Sequence, residues 1–127
     1  MATGAAPSTT GIVLLAHGSR DPRWRAPVEA VAQRVAELAP AVLVRCAYIE
    51  LSQPDLEGAA AELVSAGAAA IHVLPLFLGV GKHLREDLPR LLDASRLAHP
   101  HVAITLARAV GEEPQVVDLL ARLALKY

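Results

Sequence analysis

The sequence predicts an α/β protein, a single flavodoxin-like domain in which a four-stranded parallel sheet of order 2-1-3-4 carries helices on both faces. Three observations support this. Short apolar runs alternate with stretches of helical period in the order βαβαβαβα. The alternation continues through the chain without repeats, low-complexity tracts or a long linker. At 127 residues there is room for one core and not for two.

The first ten residues, MATGAAPSTT, hold neither a basic segment nor an apolar stretch of signal-peptide length; a disordered tail over 1–10 is expected, with 11–127 as the single domain. Ile12 to Ala16 is a continuous apolar run suited to a strand buried on both faces, and His17 to Trp24 is a polar loop. From Arg25 onward Val28, Val31, Val35 and Leu38 recur at helical spacing until Pro40 ends the pattern. Val42 to Ile49 reads as a second strand, and its Arg45 suggests a partly open edge position. Glu50 follows directly.

Ser52 is placed to cap the second helix, with Asp55 three residues on reinforcing it. Leu56, Ala60, Leu63 and Val64 give that helix its buried stripe, and Gly67 its stop. Ala69 to Phe77 forms the third strand, followed by the loop Leu78 to Lys82. His83 to about Leu97 is the third helix, with Pro89 in its early turns or restarting it. His101 to Ala107 and Glu112 to Lys126 complete the series, Glu112 and Glu113 suiting the positive end of the last helix and Arg122 and Lys126 the other.

Hydrophobic residues make up 54% of the chain but aromatic ones only 3%, so the core is built from Ala, Val, Leu and Ile. A formal charge of -1 excludes a general nucleic-acid binder, which needs a clear cationic excess. No apolar run approaches the ~20 residues that span a bilayer, so no membrane association and a cytoplasmic location are expected. The lone Cys46 excludes an intramolecular disulfide and any CxxC site, and its apolar surroundings suit a packed thiol.

In a 2-1-3-4 sheet the first strand is flanked by the second and third, and ligands bind at the carboxyl ends where the order reverses. Neighbouring strands are ~4.8 Å apart, so three strand ends span about 10 Å. His17, Glu50 and the loop bearing His83 all leave from those ends. Two imidazoles and a carboxylate suit a divalent first-row metal such as Co, Ni, Fe or Zn and leave coordination positions open. A capping or packing role serves a histidine at a strand end equally well. His72, His99 and His101 read as structural or solvent-facing.

Ser19 follows His17 and Gly18, but a nucleophilic serine on a strand-to-helix elbow needs a glycine two residues before it, which is missing here. A flavin or phosphate site is a further reading of the same crevice; its GVGK segment lacks the P-loop spacing and the hydroxyl residue after lysine. Arg20, Arg23 and Arg25 in the first loop, with Lys82 and Arg85 beside His83, suit a carboxylate-bearing ligand or a solvated, salt-bridged rim.

Together, LLAHGSRDPRW, YIELSQPDL and VLPLFLGVGKHLREDLP resemble the small class II tetrapyrrole chelatases, the sirohydrochlorin chelatases of the CbiX and SirB type. The likeness runs from Gly11 to about Leu92. It implies a chelatase-like half that inserts a divalent metal into sirohydrochlorin on the way to cobalamin or sirohaem. Cobalt is the first expectation, with iron and nickel as alternatives and a non-catalytic carrier of metal or tetrapyrrole as another. The resemblance assigns His17 and His83 as metal ligands and proton acceptors and Glu50 as third ligand or relay. Ser19, Arg20, Arg23, Lys82 and Arg85 become candidates to hold the substrate's carboxylates. No organic cofactor is implied; the metal is itself a substrate. Family members of double length carry two such halves, so a homodimer is expected of a single one.

Overall fold

The computed structural model describes residues 9–127; the expected tail falls largely on residues 1–8, outside the described region. Four strands, β1 (Thr10–Ala16), β2 (Leu43–Tyr48), β3 (Ala70–Pro75) and β4 (Ala103–Leu106), form one parallel sheet in the order β2-β1-β3-β4. Between and after them lie α1 (Ala26–Leu38), α2 (Leu56–Ser65), α3 (Lys82–Ala98) and α4 (Pro114–Lys126). The anticipated strand order and the edge position of β2 are borne out.

Alternation along the strands divides the core in two, because successive side chains leave a sheet on opposite faces. Val13, Leu15, Ala47, Ile71, Val73 and Ile104 meet Leu56, Ala59, Ala60 and Leu63 of α2 and Leu88 and Leu92 of α3. Ile12, Leu14, Ala16, Val44, Cys46, Tyr48, Leu74 and Leu76 point the other way, toward Val28 and Ala32 of α1. Parallel strands buried in this manner read as continuous apolar runs, hence the pattern at Val13 to Ala16. Arg45 pairs with Glu62 of α2 at 3.7 Å across the open edge.

Several boundaries differ from expectation. Thr10 already pairs with Ala70, so β1 begins earlier than the apolar run. Ser52 does not cap α2. Asp55 does, its carboxylate accepting from the Gly58 N–H at 2.8 Å, because Pro54 keeps the chain from entering the helix sooner. Gly67, at φ 103, provides the left-handed turn that closes α2, with the Ala68 N–H donating to Leu63 O at 2.9 Å. α3 continues through Pro89, which is exposed, and does not restart there.

Short 3-10 helices occupy Pro22–Arg25, inside the expected polar loop, and Val110–Glu112, just before α4. Glu112 therefore lies outside α4, and Glu113 is its N-terminal flanking residue. None of the residues of α4 is buried, and among the described residues its main packing is against the 3-10 helix before it. No helix among the described residues is long and apolar enough to cross a membrane.

Candidate functional site

The carboxyl ends of β2, β1 and β3 lie side by side, with Ala16 opposite Tyr48 and Leu15 opposite Pro75. The ladder extends one residue past the strands on either side, the Ile49 N–H donating to Ala16 O at 2.9 Å and the Leu76 N–H to Leu15 O at 2.8 Å. His17 thus leaves the sheet with Glu50 on one side and Phe77 on the other. His17 Nδ1 stands 3.1 Å from Glu50 Oε1, both side chains about half exposed. The Phe77 ring lies 4.7 Å from the imidazole, centroid to centroid, at 53°.

Three features hold this arrangement. Gly18 lies so close to the second loop that a Cβ there would overlap the Glu50 carbonyl. Ser52, which is buried, receives the Ser19 N–H at 3.1 Å and donates its hydroxyl to Ser19 O at 2.9 Å, tying the two loops together. Trp24 Nε1 donates to His17 O at 2.7 Å. The second loop also carries backbone strain: Leu51 has φ 65 while Ser52 N donates to Glu50 O at 2.8 Å, a tight three-residue turn that a non-glycine residue adopts only at a cost.

His83 is the second residue of α3, exposed, and separated from β3 by Leu76 to Gly81. The structure brings His17 and Glu50 together. Among the described residues no group of three or more His, Cys, Asp or Glu is assembled to hold a metal, so His83 stands apart from the pair.

The cationic residues separate into distinct settings. Arg20 and Lys82 are exposed and enter none of the ion pairs among the described residues. Arg23 is held by Asp21 at 3.3 Å, and the Arg23 N–H and guanidinium keep the Asp21 carboxyl below its ordinary value. Arg25 lines a shallow hollow with Glu29, Val44 and Tyr48 on the α1 side of β2, away from His17. Arg85 donates to Val80 O at 3.0 Å and lines a cleft of about 490 Å³ with Leu106, Arg108 and Glu112. Ser19 Oγ accepts from the Asp21 N–H at 3.1 Å, so that hydroxyl shapes the loop.

Trp24, Phe77 and Ser52 escaped the sequence reading. A signal was available for two of them. The chain has one Trp and one Phe, and both lie against His17. In a protein this poor in aromatic residues their location is informative.

Fold and site together define a parallel α/β protein with a histidine–carboxylate pair opening from the switch point of its sheet. Comparison with known proteins is consistent with that class. The CbiX family model matches residues 11–126. Over 117 residues the chain is 33% identical to a sirohydrochlorin cobaltochelatase from Sulfolobus acidocaldarius, covering 91% of this chain and 90% of that one. The crystal structure of a CbiX protein from Marinobacter aquaeolei superposes with a TM-score of 0.77 at 35% identity, covering 92% and 94% of the two chains. SirB from Bacillus subtilis, solved in complex with cobalt, shares the fold at TM-score 0.78 and 23% identity, with 93% of this chain matching 50% of that longer one. The chain belongs to the CbiX family of chelatases, as its motifs suggested.

Proposed function

We propose that this protein is a sirohydrochlorin chelatase that inserts a divalent metal, cobalt first among the candidates, into the tetrapyrrole. The observation that carries the reading is the His17–Glu50 pair opening to solvent at the crevice of a CbiX-family fold. Relatives named sirohydrochlorin cobaltochelatase support the substrate and the metal. Iron and nickel remain alternatives because affinity at an N/O site rises from iron through cobalt to nickel, leaving supply to decide.

Metallation replaces two pyrrole N–H protons by one M²⁺, so the site must present an ion and remove two protons. With Glu50 ionised, His17 Nδ1 carries a proton and donates it to Oε1, leaving Nε2 with a lone pair for the ion or for a pyrrole proton. Glu50 fixes the tautomer and ring orientation, and the Phe77 ring limits the imidazole's swing. His83, reached by the short glycine-bearing loop after β3, supplies the second imidazole once ion and substrate are present. Arg20 and Lys82, which enter no ion pair among the described residues, and Arg85, held only to Val80 O, can meet the substrate's acid groups; Arg23 must first release Asp21. Trp24, Leu51 and Leu78 expose apolar surface on the loops beside His17 and offer the macrocycle a wall.

A planar macrocycle needs two walls, and a homodimer supplies the second. The test is the absorbance change of sirohydrochlorin with Co²⁺, Fe²⁺ or Ni²⁺, with and without protein, and mass spectrometry of the product. Acceleration over the spontaneous reaction supports the enzyme. Tight binding of metal or tetrapyrrole without acceleration would assign the chain as a carrier instead.

A further inference from the structure

The cleft of about 490 Å³ at the carboxyl end of β4 has no part in the chemistry at His17 and Glu50. Pro75, Leu88 and Leu106 give it an apolar lining, while Arg85 of α3 and Arg108 after β4 bring two guanidinium groups to it. Both arginines are exposed and keep donors in reserve. Arg85 engages Val80 O through Nη2 at 3.0 Å, a neutral acceptor, and enters none of the ion pairs among the described residues. Arg108 binds Glu113 through Nε and Nη2 at 2.9 and 3.2 Å, and its Nη1 enters none of the described hydrogen bonds. Glu112, the carboxylate in the lining, accepts from the Ala109 N–H at 3.2 Å.

The sheet fixes how far this cleft lies from His17. The Gly111 N–H donates to Phe77 O at 3.0 Å, and the backbones approach so closely that a Cβ on Gly111 would overlap Leu78. The loop after β4 is thus seated on the loop after β3, at the residue whose ring lies 4.7 Å from the His17 imidazole. β4 is two strands away from β1, about 10 Å across the sheet. An acetate or propionate arm of a tetrapyrrole carries its carboxylate oxygens about six or seven bonds from the ring centre, on the order of 8 Å with bonds of ~1.5 Å in zigzag. A macrocycle centred over His17 therefore brings the arms of one edge to the cleft, passing Gly79, where no atom stands within 4 Å of a built Cβ.

We propose that this cleft holds the carboxylate arms on one edge of the tetrapyrrole, with Arg108 as a substrate-binding residue beside Arg85. This rests on the chelatase reading above and adds to it where the ring is held. The apolar lining suits the methylene groups of an arm, and a guanidinium meets its carboxylate with two parallel N–H donors. Holding one edge at the end of β4 stops the ring from sliding, so its pyrrole nitrogens stay over His17. The arms keep their charge while the ion enters, and the grip is the same before and during metallation. Its contribution therefore falls on KM and leaves kcat alone.

Steady-state cobalt insertion by the wild type, Arg108→Gln and Glu113→Gln tests the cleft, with circular dichroism to confirm the fold. Arg108→Gln is expected to raise KM for sirohydrochlorin about 10-fold or more, the scale of one hydrogen bond between charged groups, with kcat within about two-fold. Glu113→Gln keeps an acceptor for the Arg108 side chain and removes the carboxylate that competes for it, so its KM is expected at or below that of the wild type. A KM raised alike in both variants would mean that the pair only fixes the loop before α4, and an unchanged KM in Arg108→Gln would leave the cleft out of binding. Either result overturns the proposal while the chelatase reading stands. A wild type that does not accelerate insertion overturns the chelatase reading instead. Binding of sirohydrochlorin, followed by quenching of Trp24, the one tryptophan, then decides the cleft: a Kd raised in Arg108→Gln alone supports it, and equal Kd values overturn it.

Discussion

His17 Nδ1 and Glu50 Oε1 stand 3.1 Å apart, although the residues that carry them leave different strands and are brought together only by the parallel pairing of β1 with β2. The pair is therefore a product of the fold, and its members can be removed separately without touching the core. His17→Ala is expected to lose chelation by roughly 100-fold or more, the scale of a positioned acid–base group. Glu50→Gln keeps a hydrogen-bonding partner but loses the charge, and a loss of about 10–100-fold is expected. Initial rates of cobalt insertion, with circular dichroism to confirm the fold, give the comparison. Equal rates in His17→Ala and the wild type would remove His17 from the mechanism.

His83→Ala separates the proposed two-histidine site from a site made by His17 and Glu50 alone. His83 is exposed at the start of α3 and makes no hydrogen bond among those described, so its removal leaves the fold intact. Loss of most chelation with unchanged thermal stability is expected. A variant with full activity would leave the ion to the pair.

Glycines of the two site loops should respond in opposite ways. Gly18→Ala drives a methyl into the Glu50 carbonyl, which is backbone and cannot turn aside. A destabilisation of the order of 1–3 kcal/mol is expected, together with loss of activity as the loops part. Gly79→Ala meets open space, so its stability should equal or exceed that of the wild type. Urea unfolding of both variants measures the contrast.

Ser52→Ala removes the hydroxyl that both receives from and donates to the Ser19 backbone. Leaving these part-buried groups without a partner costs about 1–3 kcal/mol. Because the Ser52 hydroxyl hydrogen-bonds to the Ser19 backbone and, among the described bonds, to neither the His17 nor the Glu50 side chain, any fall in rate beyond the stability effect reports how closely the loops must be held. Ser52→Thr, which keeps the hydroxyl, is expected to recover part of both.

Much of this was legible in the sequence because the sheet is parallel. The strand buried on both faces shows as an apolar run at Ile12 to Ala16, and the alternation of such short apolar stretches with helical periods determines the topology and hence the crevice. His17 and Glu50 could be placed because each follows a strand end within two residues. His83 could not, since six residues of irregular loop lie between Pro75 and α3 and period says nothing about where such a loop turns. Ser52 was misread for a related reason. Its spacing to Asp55 imitates a helix cap, while its real partner, Ser19, is close only in three dimensions. The exposure of α4 was equally hidden, because an amphipathic stripe does not show whether the helix packs on its own sheet.

Cys46 gives a pH dependence that is independent of catalysis. Burial, and secondarily the charge of Glu29, push its thiol above the ordinary value, so the native state favours the neutral form. The unfolded chain releases the thiol proton first. The stability that depends on Cys46 is therefore fully present below about pH 8.5 and declines as pH rises through that value toward the raised native one. Urea midpoints measured at pH 7 and pH 9.5 should fall further for the wild type than for Cys46→Ala, which has no group to titrate there. An equal fall in both proteins would mean that the native thiol ionises as readily as the unfolded one. Reaction with a disulfide reagent provides the kinetic counterpart: at pH 8 modification should be slow in buffer and rapid in urea, since the thiolate is the attacking species and Sγ lies under α1, 3.8 Å from Val28 O.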